Sequence, residues 1–230
     1  KYLERKFNTS TTTLWAVDQF GMGMSSTKIG RELGYQTQVF SRLPTEMLDS
    51  LKASKDLIFK VVFSDKPGDD MTVINLPETY GTKASIIFDD TCCWRNRDSL
   101  DSNIMSADFN LTDVTTAFFD AYKNHSEYFK TKHVIIPLGG DFYFMDYEDA
   151  YDPSIAIMIF INSNNLSGRY SNIGAHSSLI GEYLERVREE YRNNDWKIRE
   201  FKRRDFFPLV ENSYNSKTHR SWVGYFTSNP

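Results

Sequence analysis

The feature that most constrains this chain is its alternation of short apolar runs with amphipathic stretches, punctuated by glycine and proline. Leu14-Trp15-Ala16-Val17 is an apolar run ending at Asp18. Ser25 to Leu33 reads as a helix that stops at Gly34, and Thr37 to Leu43 reads as a strand. Pro44 and Thr45 open a second short helix through Leu51, and Asp56 to Phe63 is strand-like. Pro67-Gly68 builds a turn. Ala84 to Phe88 is a further apolar run, followed by loop from Asp89 to Asn103. Asp113 to Phe129 is the clearest helix, with Val114, Phe118, Phe119, Ala121 and Tyr122 on one face. His133 to Leu138 reads as a buried strand stopped by Gly139-Gly140, and Pro153 to Phe160 as a buried helix. Ile173 to His176 reads as a short strand, Leu179 to Tyr191 as an amphipathic helix and Trp196 to Phe201 as a strand. From Arg203 onward the chain reads as irregular and aromatic. Such alternation predicts an α/β fold with parallel strands and crossover helices.

At 230 residues the chain is long enough for one large domain, or most of one, with a sizeable core. Its 27 basic and 31 acidic residues leave a net charge of −4, which argues against a nucleic-acid partner. No apolar run is long enough to span a bilayer. Lys1 and Pro230 read as cuts inside a longer protein. The two cysteines, Cys92 and Cys93, are adjacent and make no disulfide framework. They form either a free thiol pair or a site where one bonds to a cysteine elsewhere. Four Asn-x-Ser/Thr sequons, at Asn8, Asn110, Asn124 and Asn165, push toward the secretory pathway.

Two aspartates share one context. Asp18 and Asp141 each follow an apolar run expected to be a strand, and each precedes a phenylalanine, directly at Phe142 and one residue on at Phe20. The carboxyl ends of strands are where α/β folds gather reactive groups. Capping of the following turn is the competing reading. His219 lies in a polar loop, and no two histidines stand at metal-ligand spacing. Gly21 to Lys28 lacks the Gly-Lys-Ser/Thr ending of a phosphate loop.

These same segments resemble glycoside hydrolase family 38, nearest to its lysosomal α-mannosidases. Trp15-Ala16-Val17-Asp18-Gln19-Phe20-Gly21 resembles the family's Trp-x-Ile-Asp-Pro-Phe-Gly motif, and Ser41-Arg42-Leu43 its Gly-Arg-Ile/Leu segment. Cys93-Trp94 is similar to a Cys-Trp pair of the lysosomal enzymes, and Leu138 to Tyr143 to the Gly-x-Asp-Phe strand end. Asp205-Phe206-Phe207-Pro208, His219 and Trp222 to Ser228 follow the lysosomal-type closing run. The resemblance implies an irregular, seven-stranded-type parallel β/α barrel, with residues 1–230 as part of a single N-terminal catalytic domain. The segment carrying the upstream His-x-Asp motif and the later helical and β domains would lie outside this chain.

The resemblance further implies zinc-assisted, retaining removal of terminal α-linked mannose from N-glycans or glycoproteins. Asp18 would be nucleophile and zinc ligand, His219 a second ligand, and Asp141 the acid/base. Arg42 would contact the nucleophile, with Phe20 and Trp15 beside the substrate. The remaining zinc ligands would come from other polypeptides of the same precursor. The implied assembled enzyme is a homo-oligomer in the lysosome or the secretory and extracellular space. Gln19, Met22 and Gly23 depart from the Pro, His and Ser of the motif. They keep open a second expectation, a structural or glycan-binding homologue without turnover.

Overall fold

The computed structural model describes residues 2–78, 80–81, 111–139, 147–163, 172–202, 206–212, 219–222 and 224. Asp141, Asn110, Asn165, Cys92, Cys93, Trp94 and the apolar run from Ala84 to Phe88 lie outside the described residues. The chain divides into two compact units. One comprises Lys1–Thr79, His125–Ile135 and Ile180–Pro230, the other Tyr80–Asn124 and Ile136–Leu179.

The first unit opens with helix α1 (Tyr2–Phe7), strand β1 (Thr13–Trp15), strand β2 (Met22–Gly23) and helix α2 (Met24–Glu32). Strand β3 (Thr37–Phe40), helix α3 (Thr45–Ser54), and strands β4 (Ile58–Val62) and β5 (Asp70–Asn75) follow. The main sheet has the order β1-β3-β5-β4-β6, with β6 at Arg199–Lys202. β1 pairs with β3, β3 with β5 and β4 with β6 in parallel. β4 and β5 are antiparallel, with Ile58 opposite Ile74 and Val62 opposite Asp70. Within the main sheet, the expectation of parallel strands is therefore corrected at one pairing. The turn around Pro67 and Gly68, with Gly68 at φ 79° and Asp69 N–H bonded to Lys66 C=O, is too short for a crossover and folds the chain straight back.

Burial follows from these positions. Every residue of β3 is buried, as expected of a strand with neighbours on both sides. Phe40, Phe59, Val61, Val73 and Ile74 form the core with Leu51 of α3. Helix α4 (Leu111–Tyr122) belongs to the second unit and runs into a 3₁₀ turn, Lys123–Tyr128. Helix α6 (Ile180–Asn193) returns to the first unit and turns Tyr183, Leu184, Val187 and Tyr191 inward, one stripe of an otherwise charged helix. In the second unit, Tyr122 of α4 meets Ile157 and Ile161 of helix α5 (Tyr147–Asn162).

Two expected strands are absent among the described residues. His133 to Leu138 joins no sheet among the described residues. Pro137 has no N–H to give a ladder, and the side chains from 134 to 137 are only half-buried. Ile173 to His176 is likewise unpaired by a strand. There the Asn162 carboxamide takes a strand's place, donating to Ala175 C=O at 2.7 Å and accepting from its N–H at 3.0 Å. Conversely, the described residues of the stretch read as irregular hold three short strands. β7 (Phe206–Phe207) pairs antiparallel with β2, and β8 (Val210–Asn212) with β9 (His219–Ser221).

Candidate active site

Because β1, β3 and β5 are parallel neighbours, their carboxyl ends share one rim, the usual place for chemistry in an α/β sheet. Asp18 follows β1, Arg42 follows β3 and Glu78 follows β5. The bend from Asp18 into β2 passes Gly21 at φ 105°, a left-handed conformation that favours glycine.

Arg42 reaches across this rim to Asp18. Its Nε donates to Asp18 Oδ1 at 2.6 Å, and its Nη2 stands 2.5 Å from the same oxygen. Both contacts fall on Oδ1, and no described residue donates to Oδ2. The Asp18 side chain is 48% exposed, so the carboxylate is not sealed in the core. A two-nitrogen grip on one oxygen fixes the carboxylate's direction better than a single lysine contact would.

The guanidinium lies over the Phe20 ring, 4.7 Å from its centroid. Trp222 stacks on Phe20 with centroids 5.3 Å apart and planes 15° apart. Trp15 ends β1 and is half-exposed. The structure thus brings Asp18, Arg42 and Phe20 into direct contact and leaves Trp15 on the edge strand beside them. The His219 backbone is in β9, opposite Asn212 and three residues before Trp222. Asp141 lies outside the described residues, so its separation from Asp18 is not among the geometry of this rim. Among the described residues, no group of three His, Cys, Asp or Glu side chains forms a metal-binding cluster.

Three contributors escaped the sequence reading. Ser41, only 6% exposed, donates to Glu78 C=O at 3.1 Å and ties the loop after β3 to the loop after β5. The Glu78 carboxylate stands 3.5 Å from the Nε2 of buried His125. Trp222 forms the outer layer of the aromatic stack. Ser41 and Trp222 carried a signal, as the neighbour of Arg42 and as part of the closing aromatic run. Glu78 carried none, because β5 was not read as a strand.

Of the sequons, Asn8 and Asn124 are described and exposed, Asn8 with φ 50° and Asn124 in the 3₁₀ turn. No helix among the described residues is long and apolar enough to cross a membrane.

The sequence matches the model of the glycosyl hydrolases family 38 N-terminal domain over residues 1–212. It is 26% identical over 233 residues to alpha-mannosidase F of Dictyostelium discoideum, covering 100% of this chain and 21% of that protein. It is 23% identical to the lysosomal alpha-mannosidase of Felis catus, covering 94% of this chain and 20% of the relative. Alpha-mannosidase 2 of Drosophila melanogaster is 23% identical over 100% of this chain and 21% of its own length. The chain spans about a fifth of the length of these curated relatives.

Proposed function

The chain belongs to glycosyl hydrolase family 38, as its N-terminal domain, and from that premise we propose that it supplies the nucleophile of an α-mannosidase. The observation that carries this reading is the Arg42 grip on Asp18 Oδ1 at the shared rim of β1 and β3. The main sheet is taken as part of the family's irregular β/α barrel. The substrate is a glycan ending in α-linked mannose, and the compartment is the lysosome or the secretory pathway.

The chemistry is a double displacement. Asp18 attacks the anomeric carbon through Oδ2, the oxygen that Arg42 leaves unengaged. Asp141 protonates the leaving oxygen, and a glycosyl ester forms on Asp18. Asp141 then takes a proton from water, which displaces the sugar with net retention. That pairing requires the two carboxyl groups to stand about 5–5.5 Å apart. Phe20 presents an apolar ring beside the reacting carboxylate.

A zinc ion fits the donor chemistry at Asp18, whose half-exposed carboxylate suits a divalent cation. His219 is the nitrogen ligand proposed from this chain, and the remaining ligands come from the rest of the assembled enzyme. When bound, the ion supplies Lewis-acid hold on vicinal sugar hydroxyls. The departure at Met22 is absorbed by the core: Met22 is fully buried in β2, opposite Phe207. This supports an active enzyme over a structural homologue.

The test is Asp18→Asn in the whole polypeptide, assayed on an aryl α-mannoside. Turnover falls by about 10³-fold or more, while the thermal unfolding profile stays in place. Near-wild-type turnover overturns the reading.

A further inference from the structure

We propose that Trp222 is a positioning residue for the reaction, acting through Phe20 on Arg42 to hold Asp18 in line. The inference rests on Asp18 being the nucleophile. Its basis is an unbroken series of contacts from the core to the Asp18 carboxylate. Leu209 is buried and accepts a hydrogen bond from the Trp222 backbone N–H at 3.0 Å. The Trp222 indole stacks nearly parallel on Phe20, 15° between planes. Phe20 carries the Arg42 guanidinium 4.7 Å from its ring centroid. Arg42 donates to Asp18 Oδ1 at 2.6 Å.

Each link needs the one before it. An arginine has several rotatable bonds, and its fork keeps one plane only when a flat surface supports that plane. Phe20 supplies the surface, but it sits in the bend between β1 and β2, outside any strand ladder. A ring in a loop is steadied by the surfaces packed on it. Trp222 is one such surface, stacked on Phe20, and its own backbone is fastened to the buried Leu209. The series also links the Asp18 bend to the strand carrying His219, since Trp222 directly follows β9. A nucleophile misplaced by about 1 Å loses about 100-fold in rate. The expected penalty therefore appears in turnover rather than in substrate binding.

The whole polypeptide carrying Trp222→Leu is assayed on an aryl α-mannoside. Its kcat falls about 10- to 100-fold, with KM within about threefold of wild type, and Trp222→Phe recovers most of the loss because a phenyl ring keeps the stack. In Arg42→Lys, where the fork is already lost, adding Trp222→Leu costs little more. Multiplying losses would overturn the proposal, as would a fall confined to KM. A crystal structure of the Trp222→Leu protein supplies a readout independent of activity. The proposal expects Arg42 Nε to have left Asp18 Oδ1, and an unchanged fork overturns it. Should Asp18→Asn prove fully active, the nucleophile assignment fails by itself, and the crystallographic comparison still decides whether Trp222 orients Arg42.

Discussion

At the scale of single residues, the site is a matter of which oxygen is used for what. Arg42 occupies Oδ1 of Asp18 with two nitrogens, which leaves the other oxygen for the proposed displacement. Such an arrangement makes the arginine's shape, and not only its charge, the relevant property. Lysine at position 42 would keep the charge but has a single nitrogen to offer. Ser41 acts one residue away and by a different route. Its hydroxyl joins the ends of β3 and β5 through Glu78 C=O. Ser41→Ala removes that donor from a nearly buried place, so the expected loss is about 1 kcal/mol of stability. A lower urea midpoint in the whole polypeptide checks it, and an unchanged midpoint removes Ser41 from the account. A buried residue of opposite character is Tyr183, whose hydroxyl has no hydrogen-bond partner among the described residues. Replacing it with phenylalanine deletes an unsatisfied group without altering the ring. Tyr183→Phe should leave the urea midpoint unchanged or raise it.

At the scale of elements, α2 shows how one residue sets a packing distance. A Cβ built at Gly30 would stand 3.3 Å from Leu14 Cδ2 and 3.6 Å from Met71 Cε, so α2 lies close against β1 and β5 there. Gly30→Leu forces the helix outward and is expected to cost about 1–3 kcal/mol, again read as a urea midpoint. Both strands that Gly30 touches sit beneath the rim that bears Asp18, so the same variant should also lower turnover. The helices were legible in the sequence because their apolar stripes are long. α2, α3 and α6 lie within a few residues of their expected ranges. β3 was legible because Val39 and Phe40 stand among polar neighbours, and β4 because Ile58, Phe59, Val61 and Val62 outweigh Lys60. β5 was missed although it is central, because Asp70 and Thr72 break its apolar run and it follows a tight turn that resembles a loop. The unpaired stretch from His133 to Leu138 was misread for the reverse reason. Apolar composition mimics a buried strand, but composition says nothing about a partner, and Pro137 withholds a donor. Of the site, Asp18, Arg42 and Phe20 were legible through a motif. Trp222 over Phe20 and Ser41 against Glu78 were not, since contacts between residues so distant in sequence leave no local pattern.

At the scale of the whole molecule, two tyrosines from α6 couple the core to alkaline pH. Burial, then the nearby Asp56 carboxylate, push the Tyr191 hydroxyl up from 10.0 to about 12. Tyr183 is raised further, by burial first and by Tyr191 second. The unfolded chain releases these protons near pH 10, whereas the folded chain retains them. The stability they contribute is complete below pH 10 and declines as pH climbs toward 12. Alkaline unfolding should therefore begin above pH 10, and tyrosinate absorbance should show a late phase coincident with unfolding. In Tyr183→Phe/Tyr191→Phe that late phase is lost, and persistence of it would assign the coupling to other residues. A last consequence comes from the hairpin that reverses the sheet. Since β4 runs against β5, the turn at Pro67 and Gly68 emerges at the end opposite Asp18, exposed and hydrogen-bonded to α2 through Arg31, which donates to Gly68 C=O. The molecule therefore offers a handle remote from its chemistry: an epitope or fluorophore spliced between those two residues should report on the enzyme without slowing it.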